Sequence, residues 1–265
     1  MEKMIITATG ANSWINPEIK NWPDPNDVDA VVADAVGNYE AGAAILHVHL
    51  PRGSEVETVQ KIRDQCDAII QAGMSSQSIP TRKGDFKSKP DMLSIILNHH
   101  AEEFTDVTVD VLHPLSELEE YCVKCKEEKI QPEWEVWHMG SIWNLNYLFD
   151  KGFIEMPQVL TLFFNWPGGT WSPPTADELL HRIKYIPEGC FYTVSTMGEA
   201  QTKIATLAIS QGGNVRVGTE DYPFIKPGVP AKNTAELVSR MGRISREMGR
   251  EIADPTEARK ILHLK

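Results

Sequence analysis

The feature of this sequence that most constrains its fold is a strict alternation of short apolar segments with longer amphipathic ones. Eight segments of the first kind predict buried strands, and eight of the second kind predict helices. Strands that alternate with helices through short connections form a parallel sheet with right-handed crossovers. Because eight such units fill 265 residues, we expect closure into a single (β/α)8 TIM barrel, one catalytic domain over residues 1–265.

The predicted strands are short, and most are rich in β-branched or aromatic residues: Met4–Thr9, Ala44–Leu50, Met74–Ile79, Phe104–Val111, Glu133–Trp137, Gln158–Phe164, Cys190–Ser195 and Asn214–Gly218. The predicted helices are Asp27–Ala41, Ser54–Gln71, Lys89–His100, Leu115–Lys129, Ile142–Lys151, Thr175–Tyr185, Glu199–Ser210 and Asn233–Met248, with a short C-terminal helical extension over Ala253–Leu264. An open doubly wound sheet is the alternative. It is disfavoured because TATGANSW, after the first strand, lacks the GxGxxG phosphate fingerprint.

Charge and composition exclude several classes of function. A net charge of −11 argues against nucleic acid as a partner, because phosphate binding needs a basic field. No run of about 18 apolar residues predicts a membrane span, and the first residues lack a signal-peptide pattern. Cys122 and Cys125 form a CxxC within a predicted helix, without a second pair, and are interpreted as ordinary helix residues. We therefore expect a cytoplasmic protein.

Two histidines lie at the end of the second predicted strand, in the segment LHVHL. Side chains alternate along a strand, so His47 and His49 point to the same face. Active sites of these barrels lie where strands end. The eighth strand ends in RVGTED, and closure places it beside the first strand, which neighbours the second. Glu220 is therefore expected to reach both histidines and complete a His2Glu site for catalytic zinc.

An arginine and a second acid accompany this predicted metal site. Arg216 lies on the eighth strand, and Asp221 directly follows Glu220. Their pairing would fix the carboxylate as a catalytic base and leave the guanidinium to bind an anion. The alternative is an ordinary salt-bridge network that closes the barrel.

Other polar residues are expected at the barrel mouth because they follow predicted strands. They are Asn12 after the first strand, Ser78 after the third, Asp110 after the fourth and His138 after the fifth. The segment PTRKGDFKSKP also concentrates positive charge, with Arg82 and Lys83 nearest to the third strand. These cations predict a site for an anionic small molecule; the alternative is a solvated loop.

Several stretches resemble the β-keto acid cleavage enzymes, whose founding member is the 3-keto-5-aminohexanoate cleavage enzyme. They are AAILHVHLPRG, VSTMGEAQTKIATLAISQGGNVRVGTEDYPF and KNTAELVSRMGRISREMGREIADPTEARKIL. The resemblance implies a zinc-bound barrel that uses acetyl-CoA to cleave a β-keto acid, giving acetoacetate and a new CoA thioester. It also implies a homotetramer, the usual assembly of the family.

Carried over residue by residue, the resemblance implies zinc ligands at His47, His49 and Glu220. It implies that Arg216 and Asp221 assist deprotonation of the carbon that attacks acetyl-CoA. The family's substrate-binding serine at the end of the third strand best matches Ser78. Arg82 and Lys83 are expected to meet the phosphates of acetyl-CoA.

One departure from the family concerns the substrate. The founding enzyme has a glutamate near the end of the first strand that helps to hold the substrate's amine. Asn12 stands at the closest position here and cannot neutralise an ammonium, so we expect a substrate without a free amine. Asp110 is the residue that could supply the missing charge.

Two other functions stay open at this stage. The first is another metal-dependent barrel enzyme, an aldolase or hydrolase, which would turn over without acetyl-CoA. The second is a non-catalytic metal-binding barrel, which would need neither Arg216 nor Asp221.

Overall fold

A closed barrel of eight parallel strands forms the centre of the computed structural model, which describes residues 2–11, 16–20, 22–103, 108–165 and 172–264. The barrel strands are β1 (Ile6–Thr9), β2 (Ile45–Val48), β3 (Ile69–Ala72), β4 (Met92–Ile96), β7 (Gln131–Val136), β8 (Val159–Phe164), β9 (Phe191–Thr196) and β10 (Asn214–Val217). Around the barrel they follow the order β1, β10, β9, β8, β7, β4, β3, β2. The predicted TIM barrel is confirmed.

Helices connect the strands and cover the outside of the barrel. They are α1 (Val28–Glu40), α2 (Glu55–Arg63), α3 (Lys83–Ser88), α4 (Leu115–Glu128), α5 (Met139–Asp150), α6 (Ala176–Ile183), α7 (Gln201–Ser210), α8 (Thr234–Glu247) and α9 (Pro255–Ile261). Most of the apolar core lies between these helices and the strands. Among the described residues, no helix is long and apolar enough to cross a membrane.

The end of the barrel opposite the mouth is closed by the C-terminal segment. Helix α9 begins with a capping box in which Asp254 and Glu257 satisfy each other's backbone N–H groups. Its Ala258 and Leu262 pack with residues at the beginnings of the strands, including Ile5 and Ile69. The predicted C-terminal helical extension is therefore present, and it leaves the other end of the barrel for a site.

The prediction for the third strand was wrong. The barrel strand is Ile69–Ala72, which the sequence pattern had assigned to the end of the second helix. Helix α2 ends at Arg63, and the predicted strand Met74–Ile79 is a turn that leads into a 3-10 helix over Ile79–Arg82. A short apolar run such as AII fits the period of a helix as well as that of a strand, so periodicity alone cannot separate them.

The prediction for the fourth strand was also wrong. Met92–Ile96, assigned to a helix because Pro90 resembles a helix start, is the barrel strand and is buried along its whole length. Parallel strands covered on both faces lack polar alternation, which explains why MLSII resembled part of a helix. The alternating segment that was assigned to this strand instead contributes to an antiparallel hairpin of β5 (His99–Glu103) and β6 (Thr108–Leu112), outside the barrel; residues 104–107 lie outside the described residues.

Candidate metal centre and active site

The structure brings three potential metal ligands together at the carboxyl ends of the strands. His47 belongs to β2, His49 follows its last residue, and Glu220 follows β10, with β1 between the two strands. His49 Nε2 lies 3.3 Å from Glu220 Oε1, and His47 Nε2 lies 3.8 Å from Glu220 Oε2. The three ligand atoms all lie within 4.8 Å of one another. This spacing suits a single ion held by three protein ligands, with a further position left for substrate.

The surroundings of these residues fit a metal ion. His47 Nδ1 lies 3.1 Å from Gln71 Oε1; donation to that oxygen would leave the Nε2 lone pair facing Glu220. Burial and the nearby Arg216 charge hold the pKa of His47 well below its usual value, which favours the neutral form that binds metals. Gly73 faces both rings, and a Cβ atom there would lie 2.7 Å from His47 Nε2. The absence of a side chain at Gly73 therefore leaves room for the two rings.

His47, His49 and Glu220 form the candidate metal triad. Beside this metal triad, Arg216 and Asp221 form a buried bidentate pair. Arg216 Nη2 donates to Asp221 Oδ1 at 2.9 Å, and Nε donates to Oδ2 at 3.1 Å. The same Nη2 also donates to Glu220 Oε2 at 3.0 Å. Ser195 Oγ completes the arrangement by donating to Asp221 Oδ2 at 2.7 Å. Asp221 is thereby held in one orientation next to the metal ligands.

Burial and charge act in opposite directions on these groups. Burial raises the pKa of Asp221 despite the opposing charge of Arg216. Burial would lower the pKa of Arg216, but the carboxylates of Asp221 and Glu220 outweigh that effect and raise it. Burial likewise opposes ionisation of Glu220, yet the neighbouring His49 and Arg216 keep its pKa well below the usual value. Arg216 therefore stays positively charged, and the carboxyl group of Asp221 has an increased affinity for a proton.

Two further buried carboxyl groups were missed by the sequence analysis. Glu133 and Glu135 lie on β7, with 1% and 4% of their surfaces exposed. Burial and the neighbouring Glu133 raise the pKa of Glu135 to about 8, and burial also raises the pKa of Glu133. The segment EWE places the two acids on one face of a strand. The alternation argument that selected HVH in the second strand would have selected them too.

A cavity of about 220 Å³ opens beside the metal triad. Its polar end contains His47, His49, Arg216, Glu220 and Glu135. The rest of its wall comes from the loop after β3, from the ends of other barrel strands and from the hairpin: Met74, Ser75, Ser76, Ile96, Val109, Trp137, Phe163 and Met197. A small substrate in this cavity can therefore contact the potential metal ligands, Arg216 and an apolar wall at the same time.

Ser78 and Asp110 lie outside this cavity. Ser78 is exposed in the loop before the 3-10 helix, and its hydroxyl lies 2.9 Å from Thr81 Oγ1. Ser75 and Ser76, closer to the end of β3, line the cavity instead. Asp110 lies on the outer face of β6, 2.6 Å from His99 Nε2. Both residues had been placed by assigning strands to the wrong segments.

Of the other four residues predicted at the barrel mouth, Arg82, Lys83 and His138 lie in three different environments. Arg82 is fully buried and donates to Asp85 Oδ2 at 2.9 Å and to the Ser94 carbonyl at 2.6 Å, so its charge does not face the solvent. Lys83, the next residue, is exposed. Asn12 lies outside the described residues. His138 precedes α5 and donates through Nε2 to the backbone carbonyl of His99 at 3.1 Å.

The loop that carries Ser75 and Ser76 is anchored by one face of α4 and by His113, which lies two residues before that helix. His113 Nε2 donates to the Ser75 carbonyl at 2.8 Å, and Tyr121 Oη donates to the Gln77 carbonyl at 2.6 Å. Between them, Glu117 Oε1 accepts from the backbone N–H of Ile79 at 3.2 Å. Glu117 and Tyr121 are four residues apart, which places their side chains on one side of the helix, and together with His113 they determine the position of the cavity wall.

Comparison with known proteins identifies relatives of nearly full length. The model of the β-keto acid cleavage enzyme family matches residues 3–264. The 3-keto-5-aminohexanoate cleavage enzyme of Acetoanaerobium sticklandii is 33% identical over 275 residues, covering 99% of this chain and 98% of that protein. The 3,5-dioxohexanoate:acetyl-CoA acetone transferase of Paraburkholderia graminis is 24% identical over 304 residues, covering 99% and 96%.

Solved structures with the same architecture are more distant in sequence. Apo ObcA superimposes with a TM-score of 0.74 at 16% identity, covering 91% of this chain and 65% of that one. Methylornithine synthase (PylB) gives a TM-score of 0.64 at 11% identity, covering 98% and 86%. At these identities the structures support the barrel fold alone.

Proposed function

Because this chain belongs to the β-keto acid cleavage enzyme family, whose model matches residues 3–264, we propose that it condenses a β-keto acid with acetyl-CoA. The products are acetoacetate and a new acyl-CoA. The observation that carries the proposal is the position of the buried Arg216–Asp221 pair directly beside His47, His49 and Glu220. Relatives whose names specify acetyl-CoA support the choice of the second substrate.

In this proposal His47, His49 and Glu220 hold zinc, since two neutral imidazoles and a carboxylate form a known catalytic set for that ion. When bound there, the ion supplies positive charge that polarises the β-keto group of the substrate. Arg216 holds Asp221 in place through two hydrogen bonds. Lys83, exposed beside the loop after β3, contributes charge for the phosphates of acetyl-CoA.

Asp221 is the base in the proposed reaction. It takes the proton from the carbon between the keto group and the carboxylate, and its raised pKa makes it a stronger base than an ordinary aspartate. That carbon attacks the acetyl carbonyl and the CoA thiolate leaves. The thiolate then attacks the original keto carbon. Cleavage of the bond between that carbon and the deprotonated one gives the new acyl-CoA and an acetoacetate carbanion, to which Asp221 returns the proton.

The proposed metal site is tested by replacing one ligand. His47→Ala should lose the tightly bound zinc and nearly all activity, because two ligands cannot hold the ion in place. His181→Ala is the matched control, since His181 is exposed on α6 and should retain both. The measurements are metal content per chain and acetoacetate formed from β-keto acids and acetyl-CoA. Equal zinc in His47→Ala and the unaltered protein would contradict the site.

The proposed base is tested with the same assay. Asp221→Asn keeps the size of the side chain and removes the base, so turnover should fall by about 10²–10⁴-fold while metal content stays unchanged. Near-normal turnover would remove Asp221 from the mechanism. Turnover that does not depend on acetyl-CoA would indicate a hydrolase or aldolase instead.

A further inference from the structure

The wall of the cavity beyond the metal triad is apolar and aromatic. The side chains that form it are Ile96, Val109, Trp137, Phe163 and Met197. Trp137 is stacked between two rings: its centroid lies 3.6 Å from that of His100 and 4.1 Å from that of Phe163. Trp137 and Phe163 are 3% and 1% exposed. This tight packing fixes the position of the apolar wall, which suits a hydrocarbon group.

The β5–β6 hairpin contributes Val109 to this wall, and the side chain of Asp110 points away from it. Along β6, Val109 and Val111 face the apolar cluster, while Thr108, Asp110 and Leu112 are exposed. Only Val109 among these five lines the cavity. The alternation of side chains along the strand therefore places a hydrocarbon, and not the carboxylate of Asp110, against a substrate.

The charged groups in the described cavity wall lie at its polar end, and each has a partner. Arg216 is bound by Asp221 and Glu220, and Glu220 belongs to the metal triad. Glu135 Oε2 accepts a hydrogen bond from Trp137 Nε1 at 3.1 Å, and burial and the neighbouring Glu133 raise the pKa of this carboxyl group to about 8. An ammonium group against the apolar wall would lose its water without gaining a carboxylate from the described residues, which costs several kcal/mol.

We propose that the substrate is a β-keto acid whose substituent beyond the keto carbon is an uncharged hydrocarbon chain, which packs against Trp137, Phe163 and Val109. Val109 is then a residue that determines specificity. The inference rests on the proposed function, because it takes the metal triad as the place where the keto group binds. It separates this chain from relatives whose names specify an aminated or trimethylammonium substrate.

The test compares kcat/KM of the zinc-loaded enzyme for 3-oxohexanoate, 3-oxo-5-aminohexanoate and 3-oxoadipate, each with acetyl-CoA. The expected preference for 3-oxohexanoate is about 100-fold or more, as an unpaired charge in a partly dry site costs several kcal/mol. A preference for either charged substrate overturns the inference and leaves the proposed function intact. If none of a broader panel of β-keto acids yields acetoacetate, the proposed function itself fails.

Three variants on the hairpin test the role of Val109. Val109→Asp should lower kcat/KM for 3-oxohexanoate by about tenfold or more and raise it for the aminated acid, because the new carboxylate pairs with the ammonium. Leu112→Asp adds the same charge on the exposed face and should change neither value. Val109→Ala keeps the wall apolar and should raise KM for 3-oxohexanoate by about four- to tenfold with kcat nearly unchanged, as about two methylene contacts are lost. Unchanged values in both Val109 variants would overturn the role of this residue.

Discussion

Two regions of the barrel each contain a buried arginine, and the partners of the two side chains differ. At the metal triad, Arg216 donates to the carboxylates of Asp221 and Glu220. Two strands away, Arg182 of α6 is equally buried, but it donates to backbone carbonyls: to Phe163 at 2.7 Å and to Val136. The first arginine is neutralised by ionised partners, whereas the second satisfies peptide groups at the ends of β7 and β8.

This difference shows how partners give the same side chain different tasks. The carboxylates raise the pKa of Arg216, whereas burial lowers that of Arg182 to about 9. Arg82 shares the carbonyl partners of Arg182, since it donates to the carbonyls of Ser94 and Gly73 near the ends of β4 and β3, and it also pairs with the Asp85 carboxylate. Peptide groups at these ends need partners where neighbouring strands separate. We therefore expect Arg216 to affect chemistry, and Arg82 and Arg182 to affect stability.

Arg216→Met should have the largest effect on catalysis. The substitution keeps an apolar chain of similar length and removes both hydrogen bonds to Asp221. Loss of such charged donors near the reacting atoms costs about 10²–10³-fold in rate. We expect this fall in kcat/KM with zinc retained, measured by steady-state kinetics and metal analysis. A fall in stability without a fall in the rate per folded molecule would place Arg216 in the same class as Arg182.

Arg182→Met should have the opposite effect: it should lower stability and leave catalysis nearly unchanged. It leaves two buried carbonyls without a donor, and each unsatisfied group costs about 1–3 kcal/mol. We expect the free energy of unfolding in urea to fall by about 3 kcal/mol, with kcat/KM of the folded protein changed less than threefold. Arg243→Met on the exposed face of α8 is the control and should change stability by less than about 0.5 kcal/mol. If Arg182→Met lowered kcat/KM as much as Arg216→Met, the two arginines would no longer differ in their effect on catalysis.

The same comparison explains which parts of the site could be predicted from the sequence. His47, His49 and Glu220 were located by strand alternation and barrel closure, two rules that need only approximate strand positions. Arg82 was interpreted as an exposed cation because its sequence neighbours are polar. Its burial depends on carbonyls at the ends of β3 and β4, and the sequence pattern had assigned both of these segments to helices.

Assignments in the middle of the chain failed for a related physical reason. Strands β3 and β4 are short, buried on both faces and without polar alternation, so the local pattern does not separate them from helices. Ser78 and Asp110 were placed at the barrel mouth because of the same error. Glu135 was missed although its spacing from Glu133 is visible, because the search considered residues at the ends of the predicted strands, and both acids lie within the predicted fifth strand, Glu133–Trp137.

The smallest expected effect concerns Lys83, which adjoins Arg82 but is exposed. If the proposed contact with acetyl-CoA holds, Lys83→Ala should raise KM for acetyl-CoA by about two- to fivefold, the value of one exposed ion pair. Because salt screens exposed charges, the increase should shrink between about 0.01 and 0.5 M salt. Lys260→Ala, exposed on α9 at the opposite end of the barrel, is the matched control and should leave KM unchanged at every salt concentration. Equal KM values for Lys83→Ala and the unaltered enzyme at low salt would show that Lys83 contacts solvent and not acetyl-CoA. Arg82 and Lys83 would then both have no part in binding the phosphates of acetyl-CoA, one because it is committed to carbonyls and the other because it contacts water alone.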